Sequence, residues 1–179
     1  MSVIDVKDGY TFRKSKASDI PAALAMRAKL FRGMGVALEA LLDDSSEKLR
    51  ETYDSAYRDD EIVHYFAYSG GEIASVAGAL IKRDFPYVFF KPGYYGWIID
   101  VFTEPEHRGR GLASKLMEMT HAWLVSKGVF EAKLISAGAG PRRIYERLGY
   151  RPTWEMSLNL GSSGALTYNE YIDARSTNS

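Results

Sequence analysis

Apolar residues in the second half of the chain recur at the spacing of one helix face, at Leu112, Leu116, Met119 and Trp123. The pattern predicts an amphipathic helix that runs to Lys127 and ends at Gly128, a residue suited to the position after a helix. The residues before it, Tyr94 to Thr103, are rich in strand formers. A buried strand that leads through a short loop into a helix is therefore the centre of the predicted fold.

Two helices are predicted near the start of the chain, after a first strand at Tyr10 to Lys16. Ser18 and Asp19 cap the first helix, and a capping-box-like sequence at Asp44 to Glu47 opens the second. The residues assigned to their inner faces are Leu24, Ala28 and Phe31 in the first helix and Leu49, Tyr53, Ala56 and Tyr57 in the second.

A hairpin is predicted next. Strands at Ile62 to Tyr68 and Ile73 to Ile81 flank a turn at Ser69 to Glu72. Gly78 interrupts the second strand, and a glycine at such a position marks a bulge or a close approach of another group. A cluster of aromatic residues follows the hairpin, at Phe85, Tyr87, Phe89 and Phe90.

The last predicted elements are a strand at Ala132 to Ala137, a helix from Pro141 to Gly149 and a strand at Arg151 to Leu160. The strand at Ala132 to Ala137 follows the strand at Tyr94 to Thr103 and the helix to Lys127, and this succession favours a parallel pair with a right-handed crossover. The predicted class is α/β in a single domain, residues 1–179, with a core at about 10–160. The extension at 161–179 turns to Ser, Gly, Thr and Asn.

Composition narrows the classes of function. The 179 residues suit one domain, and 46% of them are hydrophobic, which is enough for a sizeable core. Lys and Arg equal Asp and Glu at 23 each, which argues against a nucleic-acid partner. There is no cysteine, so disulfides and thiol catalysis are excluded. No apolar leader or membrane span is seen, so we expect a cytoplasmic protein without a membrane partner.

The loop between the central strand and helix has the features of an anion site. Gly109 and Gly111 permit backbone conformations closed to other residues, and Arg108 and Arg110 can contact phosphate. Backbone N–H groups at the helix start add to the attraction. The Walker pattern is absent, and the dinucleotide pattern fails at Ser114. The alternative is a plain glycine-rich turn with solvated arginines.

Two motifs together carry a resemblance to a family. Arg108 to Ala113 reads R-x-x-G-x-A. The segment from Pro141 to Tyr150 contains the form L-Y-x-x-L-G-F/Y, with Ile144 in place of the leucine that begins the motif. In this order and separation they resemble the GCN5-related N-acetyltransferase superfamily, over about residues 10–160 and most strongly from Tyr94 to Tyr150. The resemblance implies a mixed, mostly antiparallel sheet with a splayed parallel strand pair at the CoA site, flanked by about four helices.

The resemblance also implies acetyl-CoA as co-substrate. Backbone N–H groups near Val101 or Phe102 would polarise the thioester carbonyl, and the loop would hold the pyrophosphate, with Lys115 as an outer candidate. The residues expected at the cofactor site are Val101, Phe102, Thr103, Arg108, Gly109, Arg110, Gly111, Leu112, Ala113 and Ser114.

Two side chains are expected to be catalytic. Tyr145 matches the family's general acid, which protonates the departing thiolate; its alternative role is an aromatic wall for the pantetheine. The glutamate that some relatives use as a base has no counterpart in Ala132 to Ala137. Asp100 is the nearest carboxylate, and its alternative role is a hydrogen bond at a strand end.

His64, His107 and His121 lack metal-ligand spacing, so no metal is expected. The resemblance implies transfer to a primary amine, and the Tyr- and Phe-rich first half favours a small-molecule acceptor. A protein lysine or N-terminus as acceptor, or a non-catalytic acyl-CoA-binding module, stay open. Tyr53, Tyr57 and the aromatic residues after the hairpin either pack in the core and on the sheet edge or shape the acceptor pocket. A homodimer is also open.

Overall fold

A computed structural model gives the architecture of the chain. It describes residues 3–7, 9–36, 45–86, 92–136 and 139–153, together with 155, 156 and 158. Tyr87, Phe89 and Phe90 of the predicted aromatic cluster, Asp44 and the extension at 161–179 lie outside these residues. Among the helices described, none has the length and apolar character that crossing a bilayer requires.

A single six-stranded sheet forms the centre of the molecule, with its strands in chain order. The strands are β1 (Val3–Lys7), β2 (Tyr10–Lys14), β3 (Ile62–Ser69), β4 (Glu72–Arg83), β5 (Tyr94–Thr103) and β6 (Ala132–Lys133). Neighbours are antiparallel from β1 to β5, and β5 and β6 are parallel. The predicted mixed, mostly antiparallel sheet with one parallel pair is therefore confirmed.

Four α-helices flank the sheet: α1 (Ile20–Gly33), α2 (Ser45–Arg58), α3 (Leu112–Ser126) and α4 (Ala139–Arg147). Asp19 precedes α1 as predicted, but its carboxylate makes no cap to that helix. It accepts the Lys16 N–H at 2.7 Å and pairs with Arg13, so it closes the short 3-10 turn before α1. The buried face of α1 is Ile20, Ala23 and Met26 rather than the predicted Ala28 and Phe31.

The core divides into two apolar clusters, one on each side of the sheet. Cluster one lies on the side of α3 and α4 and includes Phe12, Leu116, Met117, Trp123 and Tyr145. Cluster two lies on the side of α1 and α2 and includes Met26, Tyr53, Ile62, Phe66 and Val76. Burying apolar surface on both faces stabilises the sheet between two layers of helices.

One strand was not predicted, and two predicted strands differ from the structure. β1 was not predicted, and it forms because it pairs with β2 along an edge. The strand predicted at Ala132 to Ala137 is limited to Ala132–Lys133. Arg151 to Leu160 is not a strand at the positions that the structure describes, where Met156 and Leu158 are exposed. Their alternation of apolar residues matched a half-buried strand, but a strand also requires a pairing partner, which the pattern does not specify.

Candidate active site

The two parallel strands separate almost as soon as they meet. β5 and β6 pair only at Gly96 with Ala132 and at Trp97 with Lys133, and the Gly96 N–H donates to the Glu131 carbonyl at 2.9 Å. β5 continues to Thr103, whereas β6 ends at Lys133. The gap, defined here as the space between β5 from Ile98 onward and the chain after Lys133, therefore exposes one edge of β5 to a ligand.

The predicted anion loop lies at the carboxyl end of β5. Arg108, Gly109, Arg110 and Gly111 are all exposed, and α3 begins at Leu112 with Gly111 as its N-cap. No side chain caps α3, so N–H groups of its first turn are free to bind an anion. Leu112 is buried in cluster one and anchors the helix start, while Ala113 and Ser114 are partly exposed beside the loop.

Local contacts shape this loop. The Arg108 Nε donates to the Thr103 carbonyl at 3.0 Å, and the Tyr10 hydroxyl lies 2.8 Å from Nδ1 of His107. Gly109 and Gly111 both have φ of 76°, in the left-handed region. A Cβ at Gly111 would meet no atom within 4 Å, so glycine is needed there for its conformation and not for space.

A β-bulge in β5 sets the direction of Asp100. Val76 pairs with Phe102 and Gly78 pairs with Ile99, so one residue of β4 faces two residues of β5. Asp100 has φ of 56°, which is uncommon for a residue other than glycine. The bulge reverses the alternation: Ile99 and Phe102 pack in cluster two, Val101 packs in cluster one, and Asp100 points toward α1 and α2.

The Asp100 carboxylate is the centre of a buried polar cluster, defined as Arg27, Tyr53, His64 and Asp100. Arg27 Nη1 donates to Oδ1 at 2.5 Å, His64 Nε2 lies 2.9 Å from Oδ2, and the Tyr53 hydroxyl also donates to Oδ2. Burial raises the pKa of Asp100, but the His64 hydrogen bond, the Arg27 charge and Tyr53 outweigh it and hold the pKa below its ordinary value. Asp100 is therefore an ionised carboxylate with three partners.

Further hydrogen bonds hold His64 in place. The Tyr57 hydroxyl lies 2.7 Å from its Nδ1 and 2.8 Å from Ser15 Oγ, which in turn accepts the His64 backbone N–H at 3.0 Å. Burial raises the pKa of Tyr57 to about 12, so its hydroxyl stays protonated. Gly78 lies opposite His64, and a Cβ there would come within 2.5 Å of the imidazole. The predicted close approach at Gly78 is thus the His64 ring.

Tyr145 lies on the other side of the sheet, in cluster one. Its ring packs edge-on against Tyr150 at 5.9 Å, and it lines a cavity of about 260 Å³ with Leu134 and Ser136 of the segment after β6. Its hydroxyl makes no hydrogen bond to any residue that the structure describes. Burial raises the pKa of Tyr145, so the phenol is protonated at neutral pH and able to donate.

The structure thus places Val101, Phe102 and Thr103 on the edge of β5 that faces the gap, and it places the anion loop at the carboxyl end of β5. Tyr145 and Asp100 lie on opposite sides of the sheet. Sequence reasoning did not single out Arg27 or assign His64 a partner. One signal was present: His64 is the one ionisable imidazole in a strand of aliphatic and aromatic residues from Ile62 to Ala67, and it lies directly opposite Gly78. Within the described ranges, no three His, Asp or Glu side chains converge as metal ligands do.

Comparison with known proteins supports the family resemblance that the two sequence motifs indicate. A model of the acetyltransferase (GNAT) family matches residues 28–150, which is more than half of the chain. No curated protein sequence matches. Solved structures do match: a predicted acetyltransferase with acetyl-CoA from Clostridium acetobutylicum has a TM-score of 0.77 at 22% identity, covering 84% of this chain and 96% of that one.

Two further structures have the same fold. A GCN5-related N-acetyltransferase from Ralstonia eutropha JMP134 has a TM-score of 0.76 at 24% identity, covering 85% of this chain and 99% of that one. Glucosamine-6-phosphate N-acetyltransferase from Arabidopsis thaliana has a TM-score of 0.61 at 20% identity, covering 85% and 99%. The similarity therefore extends over nearly the whole of each of those chains.

Proposed function

Because the chain belongs to the GNAT acetyltransferase family and is an acyltransferase, we propose that it transfers the acetyl group of acetyl-CoA directly to a primary amine of a small molecule. The observation that carries the proposal is the gap between β5 and β6, which runs from Trp97 toward the anion loop at Arg108 to Ser114. An extended thioester with a pyrophosphate at its far end matches such a gap.

The loop and the β5 edge would hold the co-substrate. N–H groups of Gly109 to Ser114 and the exposed guanidinium groups of Arg108 and Arg110 bind the pyrophosphate. The bulge removes Val101 from regular pairing with β4, and an N–H of Val101 or Phe102 polarises the thioester carbonyl as the oxyanion forms.

The thiolate would then be protonated on one side of the sheet, and the amine would be deprotonated on the other. The amine nitrogen attacks the thioester carbon, the carbon–sulfur bond breaks, and the departing thiolate takes a proton from the Tyr145 hydroxyl. A phenol that has no other hydrogen-bond partner among the described residues is suited to this donation. The amine loses its proton on the opposite side of the sheet, where Asp100 lies.

Asp100 is the proposed proton acceptor for that step. Its side chain has no exposed surface and is held by Arg27, Tyr53 and His64. The proton therefore reaches it through water or a hydrogen-bonded partner. The lowered pKa keeps Asp100 ionised throughout the pH range in which an amine is available as a nucleophile.

The acceptor is proposed to be small because aromatic side chains lie beside the closed end of the gap. Tyr95 and Trp97 lie at its closed end, and Phe85 is exposed near the start of β5. The Arabidopsis neighbour is named for a small amino sugar phosphate, which is consistent with a small acceptor here. A cytoplasmic location and independence from metal accompany the proposal as predictions.

Release of free thiol from acetyl-CoA tests the proposal against a panel of small amines, amino acids, polyamines, peptides and proteins. We expect turnover with small amines that exceeds hydrolysis without acceptor. Turnover restricted to peptides or proteins would replace the small-molecule acceptor by a protein one. Binding of acetyl-CoA by calorimetry without turnover on any acceptor would identify a non-catalytic binding module.

A further inference from the structure

The sheet face beside the gap has an aromatic pair that belongs to neither core cluster. Ile98 packs in cluster one and Ile99 in cluster two, so Trp97 and Tyr95 point to the face that carries α1 and α2. Their rings lie 6.3 Å apart with an interplanar angle of 70°, and both are partly exposed. They are absent from both clusters of buried and packed residues. The partly exposed ring of Trp97 is large enough to contribute substantial contact area to a ligand.

Two lysines lie on these rings. The Lys82 Nζ is 4.2 Å from the centre of the Trp97 ring, and the Lys133 Nζ is 4.7 Å from the centre of the Tyr95 ring. Lys82 is opposite Tyr95 in β4, and Lys133 is opposite Trp97 in β6. The cations are therefore held at defined positions by the ring faces. We call Lys82, Tyr95, Trp97 and Lys133 the cation–aromatic patch.

Lys82 differs from three basic residues on the same side of the molecule that have carboxylate partners. Arg27 is neutralised by Asp100, Lys29 by Glu104, and Lys133 by Glu155. Within the ranges that the structure describes, Lys82 has no carboxylate partner, and its contact is the Trp97 ring. A cation without an acidic neighbour, held on an apolar surface, attracts an anionic group of a ligand.

The patch is close to the proposed reaction centre. Trp97 is the last residue of β5 that pairs with β6, and the gap opens at the next residue. A strand advances about 3.3 Å per residue, so Trp97 lies within about 10 Å of the backbone of Asp100. That distance equals the length of a small molecule with one ring between its amine and its far end.

We infer that the cation–aromatic patch recognises the acceptor, and that the acceptor is a primary amine joined through a flat ring to an anionic group such as a carboxylate. The ring packs against Trp97 and Tyr95, the anion pairs with Lys82, and the amine reaches the gap. The inference rests on the proposed function, and it adds the class of acceptor and the residues that select it.

Matched acceptors test the inference. The probes are 4-(aminomethyl)benzoate, its neutral amide and 3-aminopropionate, which keeps the carboxylate and lacks the ring. We expect kcat/KM to be about tenfold higher for the benzoate than for the amide, because the carboxylate forms a charge-assisted contact with Lys82 that the neutral amide cannot form. The preference should come from KM. The ringless acid should be the poorer substrate.

Variants assign the preference to residues. Lys82→Gln should remove the preference of the benzoate over the amide and leave KM for acetyl-CoA unchanged. Trp97→Ala should weaken both ring-containing probes. Lys48→Gln, at an exposed lysine of α2, is the matched control and should behave as the wild type. Equal kcat/KM for benzoate and amide in the wild type, or a preference that survives Lys82→Gln, would overturn the inference while leaving acetyl transfer intact.

A binding measurement separates this inference from the proposed function. Calorimetric titration of 4-(aminomethyl)benzoate into the protein with CoA present needs no turnover. Binding that Lys82→Gln weakens, together with no thiol release from any amine, would overturn the proposed reaction and support the patch. Thiol release from other amines without binding of the benzoate would overturn the patch alone. Absence of both would overturn both.

Discussion

His64 Nε2 lies 2.9 Å from Oδ2 of Asp100, and neither side chain has any exposed surface. The pair joins β3 to the bulge of β5 across β4, so a strained backbone at Asp100 is held by a contact from two strands away. Arg27 and Tyr53 connect the same carboxylate to α1 and α2. Helix packing and the geometry of the gap edge are therefore coupled through one carboxylate.

Asp100→Asn should lower the free energy of unfolding at neutral pH by about 3 kcal/mol, because it leaves Arg27 without its buried counter-charge. The pKa of Asp100 is lower in the folded than in the unfolded chain, so ionisation stabilises the fold. This contribution is complete above the unfolded pKa of about 3.9 and is lost as the pH falls through the folded value. Denaturant-induced unfolding at pH 7 and at acidic pH measures the effect. The difference in free energy of unfolding between variant and wild type should be smaller at acidic pH.

The same substitution tests the role of Asp100 in the reaction. If Asp100 accepts the amine proton, Asp100→Asn should lower turnover and remove an acidic limb of the pH–rate profile that lies below the ordinary aspartate range. Glu104→Gln, at a carboxylate paired with Lys29, is the control and should keep that limb. A variant with a near-normal rate and an unchanged profile would assign Asp100 to structure alone.

Tyr145→Phe should reduce turnover by about 100-fold or less, since general acid catalysis contributes about 10²–10⁴-fold and water partly substitutes. Affinity for acetyl-CoA should stay close to that of the wild type, because the ring in cluster one is kept. Tyr150→Phe is the matched control, since its hydroxyl is already bonded to His121 at 2.7 Å. Full turnover in Tyr145→Phe would refute the acid role, and weakened cofactor binding with unaltered chemistry would indicate an aromatic wall.

Gly111→Ala should weaken acetyl-CoA binding through the loop conformation. Gly111 has φ of 76°, where a residue with a Cβ is strained by about 1–2 kcal/mol. Gly33→Ala, in α1 and away from the gap, is the control, since Gly33 has no positive φ and a Cβ there would meet no atom within 4 Å. Titration calorimetry should also show wild-type affinity falling as salt rises. Equal affinity of the two variants for acetyl-CoA would contradict the assignment of the loop to the binding site.

Gly78→Ala should destabilise the fold by about 1–3 kcal/mol, the cost of overpacking a filled interior. The new Cβ would lie 2.5 Å from Cδ2 of His64 and 2.8 Å from the Val63 carbonyl oxygen. Gly33→Ala, near the end of α1, meets nothing within 4 Å and should be neutral or slightly stabilising. Thermal melts of the two variants compare them directly, and an equally stable Gly78→Ala would contradict the packing of His64.

Local sequence was sufficient for the elements whose signals are local. The apolar spacing in α3, the hairpin turn at Ser69 to Glu72 and the glycine loop before α3 each depend on residues close together in the chain. The family motifs at Arg108 to Ala113 and Pro141 to Tyr150 are of the same kind. These signals predicted the sheet class, the parallel pair and the family, and they selected Tyr145 for a catalytic role that remains to be measured.

Tertiary structure decided what depends on residues far apart. Asp100 meets Arg27 and His64 only because the bulge turns it toward α1 and α2, and a bulge is set by register across β4. Lys82 and Trp97 likewise meet through strand pairing. Arg151 to Leu160 alternates as a strand should, yet no strand forms at its described positions. Sequence patterns determine which residues prefer a buried face, whereas pairing and side-chain contacts determine which distant groups share one site.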